Sequence, residues 1–354
     1  MLGLGAMGSR IARRLLDAGN ELVVWNRTPD QASELLAAGA TPAASPADAA
    51  RDAEAVITMV ANPDALRAVT EGADGIASGI GESSTLIEMS TVGPDAVAHL
   101  ASVLPNGVGL LDAPVLGSRS EAEAGSLHIF VGGPQELFQR WRPLLSELGS
   151  PIRVGPLRSG AAAKLVANST LFATVSALGE AIALADALGL SRDAAFEVLA
   201  RSPLGEQAKR RREAFDAGDY PARFALALAR KDAELVAGAA DKSGIELRLS
   251  EAARSWLADA DSASWGERDY AALLTWIVEN AGLDVSDQQQ DQRDEQDHEQ
   301  PVVDGEATDQ GKDDDQQHQK PKQSHGHLPS SRDFPHRPVA GFTRRETWNR
   351  SGAK

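Results

Sequence analysis

Gly3-Leu4-Gly5-Ala6-Met7-Gly8, with Ser9 and an amphipathic run to Ala18 directly behind it, decides how the first half of the chain is read. The pattern is G-x-G-x-x-G. Set between a strand and a helix, each glycine has a physical purpose. The first permits a tight turn, the second lets a pyrophosphate approach the backbone, and the third lets helix and strand pack closely. The helix N-terminus adds free N–H groups and a partial positive charge. Gly3, Leu4, Gly5, Ala6, Met7 and Gly8 are therefore candidates for binding a dinucleotide. Taken alone, the same pattern also describes an ordinary glycine turn.

The residues downstream support the first reading. Short β-rich runs at Glu21–Trp25, Ala55–Val60, Thr85–Glu88, Gly109–Asp112 and His128–Val131 alternate with helical spacing such as Ser9–Ala18 and Pro29–Ala38. This alternation predicts an α/β fold, a Rossmann-type parallel sheet with helices on both faces, over residues 1–157. Only Met1 and Leu2 precede the motif, whereas a central strand needs about five residues. The first strand is thus expected to be truncated, and Met1 is expected not to be the native start, or the chain to be a fragment. A sheet that had lost its middle strand would strip backbone partners from both neighbours.

After the second strand the chain reads Val24-Trp25-Asn26-Arg27-Thr28. A fold that selects NAD usually places an acid there for the ribose hydroxyls. Here an arginine stands between an amide and a hydroxyl. A guanidinium accommodates a 2′-phosphate through its charge and forked donors. The expected cofactor is NADP rather than NAD, with Asn26, Arg27 and Thr28 at its adenosine end. The bland alternative for Arg27 is a solvated turn residue.

Residues 158–283 read as all-α. A long Ala/Leu-rich run from Gly160 to Leu188 is followed by helical stretches at Asp193–Ala200, Gln207–Ala217, Leu226–Ser243, Leu247–Asp259 and Ala271–Asn280. Lys164 and Asn168 lie four apart and share one face of the first helix, which is otherwise apolar. A lysine near a carbonyl oxygen can give or take a proton once desolvation lowers its pKa. A lysine snorkelling from a buried helix fits the spacing equally well, and spacing alone leaves both readings open.

Four segments together resemble one family. They are Gly3–Gly8, Asp112-Ala-Pro-Val-Leu-Gly-Ser118, Gly160-Ala-Ala-Ala-Lys164-Leu-Val-Ala-Asn168 and Phe224-Ala-Leu-Ala-Leu-Ala-Arg-Lys231-Asp232, with Glu88-Met-Ser90-Thr91 between the first two. In order and spacing over residues 1–280 the chain resembles the 3-hydroxyisobutyrate dehydrogenase (β-hydroxyacid dehydrogenase) family, kin to 6-phosphogluconate dehydrogenase. The resemblance implies an oxidoreductase that moves a hydride between a nicotinamide and a small β-hydroxy acid, aldehyde or semialdehyde. It implies Lys164 as general acid/base and Asn168 as a substrate contact. Gly117 and Ser118 would offer backbone N–H groups to a substrate carboxylate. Val60, Ala61 and Thr91 would line the cofactor. Lys231 would reach the nicotinamide end, with Asp232 beside it on the substrate side. The family's motif serine aligns with Leu116, which cannot donate a hydrogen bond. If the substrate were unchanged, the loss would cost roughly 1.5–3 kcal/mol. Ser169 replaces a second asparagine.

Composition limits the alternatives. The net charge of −16 repels phosphate backbones, so nucleic acid is not an expected partner. No stretch reaches the roughly 18 uncharged apolar residues of a membrane span, so no membrane partner is expected. The absence of cysteine excludes thiolate chemistry and fits a reducing cytoplasm. Residues 284–354, rich in Gln, Asp, Glu, Lys and His, bury too little apolar surface to order and are expected to be disordered. His325-Gly326-His327 in that tail is read as solvated low complexity rather than as a metal site. The 160–188 run is more apolar than one small helical domain can bury, which predicts a homodimer, and the family pairs through this region. A non-catalytic NADP-binding sensor or scaffold is the competing class, suggested by Leu116, the short start and the acidic tail. An imine reductase is a second enzyme reading. The retained Lys164, Asn168 and Lys231 oppose the former, and Lys164 opposes the latter.

Overall fold

The computed structural model describes residues 1–282; the tail expected to be disordered lies outside the described residues. The strands are β1 (Val23–Val24), β2 (Thr41–Pro42), β3 (Ala55–Thr58), β4 (Thr85–Glu88), β5 (Gly109–Asp112), β6 (Val115–Leu116), β7 (Leu127–Gly132) and β8 (Gly149–Gly155). The first eight helices are α1 (Gly8–Asp17), α2 (Ser33–Ala37), α3 (Pro46–Ala50), α4 (Pro63–Thr70), α5 (Ile76–Gly79), α6 (Gly93–Val103), α7 (Arg119–Ala124) and α8 (Gln135–Leu148). The remaining helices are α9 (Ser159–Ala187), α10 (Arg192–Leu199), α11 (Gly205–Ala217), α12 (Leu226–Ser243), α13 (Arg248–Ala260) and α14 (Leu273–Asn280).

Successive side chains on a strand point to opposite faces, and here the two faces feed two cores. Ile57, Ile87 and Leu111 pack with Ile11 and Leu15 of α1 and Phe138, Trp141 and Leu145 of α8. Their neighbours Val56, Leu86 and Leu110 pack on the other face with Leu66, Ile76, Val97 and Leu100 of α4 to α6. Met1–Gly3 fills the middle of the sheet. The Met1 and Gly3 nitrogens donate to Val23 and Trp25, Trp25 donates to Met1, Leu2 donates to Ile57, and Met59 donates to Leu2. Leu2 is thereby bridged in parallel to both Trp25 and Thr58. These three residues satisfy both flanking strands where the truncated first strand was expected.

The sheet is dominated by parallel pairs: β1–β2, β3–β4, β4–β5 and β7–β8. Within this parallel-dominated sheet β7 runs antiparallel to β5 and β6. The cause is the short connection. A parallel return needs a crossover of a dozen or more residues, whereas only residues 117–126 separate β6 from β7, and α7 within them ends at Gly125 in the left-handed region, φ +67°.

The helical half has its own core. Phe172, Val175, Leu178 and Ile182 of α9 meet Phe196, Phe215, Leu257, Leu274 and Ile277. Gly179 lets α14 approach, since a Cβ there would lie 2.9 Å from Ile277 Cδ1. The remaining faces of α9 leave Val166, Leu184 and Leu188 exposed. One described helix matches the length and mean hydropathy of a membrane span, although Lys164, Glu180 and Asp186 interrupt its apolar run. It is α9, with a mean hydropathy of 1.3 over its best window and one third of that window buried. It qualifies because a window may hold a charge or two, which a count of uninterrupted apolar residues misses.

A row of polar residues crosses the sheet at the carboxyl ends of its strands. Thr58 is the register partner of Glu88, and Glu88 of Asp112, and all three are buried. Glu88 accepts from the Thr58 hydroxyl and from the Ser90 N–H (2.6 Å). Burial pushes its carboxyl up to about 7, against the pull of the Ser90 and Thr58 hydrogen bonds and with a further push from Asp112.

A folded value above the unfolded one means that the native state holds this proton more tightly. The stabilisation is full below the ordinary glutamate range and is lost as pH rises through about 7. The wild-type Tm should therefore fall relative to Glu88→Gln as pH rises from the ordinary glutamate range to just above 7, by the equivalent of about 3 kcal/mol. Thermal melts across that range check this; parallel profiles would remove Glu88 as the titrating group.

Candidate active site

The three glycines of the turn stand in two kinds of surroundings, two packed and one open. Gly3 has φ +90°, and a Cβ on it would lie 2.3 Å from the Met59 carbonyl. A Cβ on Gly8 would lie 2.0 Å from the Gly3 carbonyl. Packing demands these two glycines. At Gly5 a Cβ would meet nothing within 4 Å, so the turn keeps an open face there. Behind it, α1 starts at Met7 without a side-chain cap and has no acid in its first turn. Uncapped N–H groups beside an open glycine fit a pyrophosphate.

The residues around this turn divide into braces and free groups. Leu4 is buried and Met7 half-buried, while Gly5 and Ala6 are exposed. The Asn26 amide oxygen accepts from the Leu4 N–H (2.8 Å), and its nitrogen donates to the Thr28 carbonyl and to Gln31 Oε1 (2.9 Å each). Asn26 therefore braces the turn with groups that a ligand would otherwise use. Arg27 and Thr28 are exposed. Across the sheet, the half-buried Val60 donates its N–H to the buried Ser90 hydroxyl (2.8 Å), which ties the loop carrying the exposed Ala61 to the loop carrying Thr91.

The second cluster joins the two halves of the chain. The Lys231 ammonium donates to the Thr91 carbonyl (2.6 Å) and lies 2.5 Å from Asp232 Oδ1. Asp232 is buried, and its Oδ2 accepts from the amide nitrogen of Asn168 (2.8 Å). Asn168 is fully buried, and its Oδ1 has no protein partner among the described residues. One turn back on α9, Lys164 feels both of these charges. Burial lowers its pKa, opposed by Asp232 and reinforced by Lys231. Burial raises Asp232, opposed by the two lysines and by Asn168. Asn168, Asp232, Lys231 and Thr91 thus form one bonded chain, and the half-buried Lys164 stands one helical turn before Asn168. A lysine whose proton is loosened, beside an amide oxygen with an open valence, can exchange a proton with a polar group and hold it in place.

The loop expected to bind a substrate carboxylate has another partner. Leu116 is half-buried, and Gly117 has φ +140°. The Ser118 N–H and hydroxyl both donate to Glu121 Oε2, at 2.8 and 2.6 Å, and Ser120 adds a third bond at 3.0 Å. These bonds, those of Ser118 first, lower the Glu121 carboxyl to about 2. Of the two N–H groups expected to meet a carboxylate, that of Ser118 is already bonded to an internal one. Sequence reading gave Glu121 no role, although S-x-x-E is a capping-box signature. It also gave none to Glu88, Ser90 or Asp112, whose partners lie in other strands and helices.

A Rossmann-type domain with an open glycine turn, followed by a helical half that delivers a lysine, defines an NAD(P)-dependent oxidoreductase. The comparisons with known proteins agree. Residues 1–155 match the NAD binding domain of 6-phosphogluconate dehydrogenase, and residues 159–277 the NAD-binding domain of NADP-dependent 3-hydroxyisobutyrate dehydrogenase. The chain is 33% identical over 286 residues to 3-sulfolactaldehyde reductase of Escherichia coli, covering 80% of this chain and 96% of that protein. It is 30% identical over 276 residues to glyoxylate/succinic semialdehyde reductase 1 of Arabidopsis thaliana, covering 77% and 96%. Among solved structures, Mycobacterium tuberculosis 3-hydroxyisobutyrate dehydrogenase with L-serine superimposes with a TM-score of 0.71 at 27% identity, over 77% of this chain and 96% of that one. The chain belongs to the 3-hydroxyisobutyrate dehydrogenase-like β-hydroxyacid dehydrogenases, related to 6-phosphogluconate dehydrogenase.

The two kinds of glycine separate in a simple experiment. Gly8→Ala forces a backbone clash and should lower stability by about 1–3 kcal/mol. Gly5→Ala should leave the Tm unchanged and raise the Kd for the dinucleotide, measured by fluorescence titration. Unchanged affinity in Gly5→Ala would mean that the open face is not where the phosphates lie.

Proposed function

We propose that this chain is an NADP-dependent reductase of small aldehydes or semialdehydes, running in reverse on the matching β-hydroxy acids, with Lys164 as general acid/base. The observation that carries the reading is the buried Asn168–Asp232–Lys231–Thr91 chain, with the half-buried Lys164 one helical turn before Asn168 and its pKa lowered by burial. Relatives named for the reduction of sulfolactaldehyde, glyoxylate and succinic semialdehyde support the substrate class. Residues 1–157 are the nucleotide-binding domain, and the helical residues that follow form the substrate and dimerisation domain. Val166, Leu184 and Leu188, exposed on α9, support pairing of two copies through that helix. The lack of cysteine suits a reducing, cytoplasmic setting.

The glycine turn and the start of α1 hold the pyrophosphate, Arg27 and Thr28 hold the 2′-phosphate, and Val60, Ala61, Thr91 and Lys231 flank the nicotinamide end. When bound, the nicotinamide supplies or accepts the hydride. Lys164 gives its proton to the substrate oxygen in reduction and takes it back in oxidation. Burial makes that proton easier to give. Asn168 Oδ1 orients the substrate hydroxyl or the lysine, and Asp232 stabilises the cationic form between turnovers. Leu116, Gly117 and Ser118 face the far end of the substrate. Closing the site over its reactants excludes water and fixes their separation.

Lys164→Ala should lower turnover by roughly 10²- to 10⁴-fold while the Kd for NADPH changes little. The wild-type rate of reduction should fall with rising pH in a titration below the ordinary lysine range, and oxidation should rise through the same titration. Steady-state kinetics in both directions check this, and near-normal turnover in the variant would exclude the role.

Arg27→Ala should raise the KM for NADPH by roughly 10- to 100-fold, the worth of a hydrogen bond to a charged group. The KM for NADH should stay the same. An equal change for both cofactors would place the 2′-phosphate elsewhere.

A further inference from the structure

The long helix that carries Lys164 does not cap its own start. Arg158, the residue before it, makes no side-chain cap and holds φ +82°, a left-handed conformation that is strained outside glycine. The missing acceptors come from the end of β5. Asp112 Oδ1 accepts from the Arg158 N–H (2.8 Å), and Oδ2 accepts from the Ala161 N–H (2.7 Å). The carboxylate is fully buried. It is wedged between two glycines: a Cβ on Gly132 would lie 2.3 Å from Asp112 Oδ1, and one on Gly160 would lie 3.0 Å from Asp112 Oδ2. Outside this wedge the Arg158 side chain reaches the Pro94 carbonyl (3.2 Å) and Asp95 (3.6 Å), the latter an exposed ion pair of little weight.

We propose that Asp112 is a positioning residue for the reaction: its two hydrogen bonds to the first turn of α9 fix where Lys164 and Asn168 emerge. The proposal rests on the reading of Lys164 as general acid/base. A helix is stiff, so the contact at its first turn sets the place of residues one and two turns further along. Ala161 is three residues before Lys164. The helix N-terminus carries partial positive charge, and an ionised carboxylate there is the matching partner. An amide in the same place turns one acceptor into a donor facing an N–H group, and the first turn must move to relieve it. A misplacement of about 1 Å can cost on the order of 10²-fold in rate.

The test uses the full chain. Asp112→Asn should lower kcat roughly 10- to 100-fold with the KM for NADPH unchanged. It should also move the pH midpoint of reduction toward the ordinary lysine range, as Lys164 gains water. Hydrogen exchange should speed up in the first turn of α9 and stay the same in α12. In a Lys164→Ala background, Asp112→Asn should add little further loss, because its effect passes through the lysine. If Asp112→Asn does not fold, Asp112→Glu keeps both acceptors but lengthens the arm by one methylene, and the same kcat loss and pH shift are expected. Wild-type kcat in either variant, or a loss that adds in full to that of Lys164→Ala, overturns the proposal. Normal turnover in Lys164→Ala alone would overturn the reading beneath it, and that result is seen without any change at Asp112.

Discussion

Taking a lysine ammonium out of water is expensive unless charge and hydrogen bonds replace the lost hydration. The site is organised around this cost. Asp232 supplies the counter-charge to Lys164, and Lys231 shares it. Asn168 takes one oxygen of Asp232, and Thr91 takes the Lys231 ammonium. The result is a chain of partners running from the helical half to the loop after β4. Each member limits the others: if Asp232 were neutral, Lys231 and Lys164 would both face uncompensated burial. The lysine's proton is therefore held by a balance rather than by one strong ion pair, and a balance leaves it exchangeable.

The sheet supports that balance from below. Thr58, Glu88 and Asp112 form one register row where the strands end. Glu88 ties the ends of β3 and β4 together through Thr58 and Ser90, and Ser90 passes the link to Val60. Asp112 ties β5 to the start of α9. The loops expected beside the cofactor and the helix expected beside the substrate are thus referenced to the same row. Burial raises both carboxyls, and at Glu88 the neighbouring Asp112 adds a smaller push in the same direction. The structure tolerates the pair because Asp112 receives backbone N–H groups from a helix start while Glu88 can keep its proton.

Much of this was legible in the sequence because it is local. Thr85–Glu88, Gly109–Asp112 and Leu226–Ser243 read as the elements they form, since their periodicity is strong and their ends are marked. The glycine turn, Lys164 with Asn168, and Lys231 with Asp232 read from motif spacing. What did not read is what depends on distant partners. β6 has two residues and exists because β7 lies beside it. β8 contains Pro151 and is bounded by Gly149 and Gly155, which demotes it as a strand until β7 pairs with it. Asp112 stands 46 and 49 positions from the N–H groups it accepts. Asn26 was read as a ligand contact because of its place after β1, yet its amide is committed to Leu4, Thr28 and Gln31. Spacing identifies a residue's neighbourhood, but the hydrogen-bond partner it chooses there emerges only in three dimensions.

The substrate end follows a different logic from the cofactor end. At Gly5 the fold leaves a gap and uncapped N–H groups, an arrangement with value only when an anion arrives. At Ser118 the corresponding groups are already satisfied by Glu121, which stays ionised at any working pH. An anionic ligand group directed to Ser118 must displace a carboxylate that reaches its N–H without loss of translational freedom, and it must do so against that carboxylate's charge. Leu116 beside it offers apolar contact and no hydrogen bond. The cofactor end is therefore open by construction, whereas at Ser118 an internal carboxylate already holds the N–H and the hydroxyl.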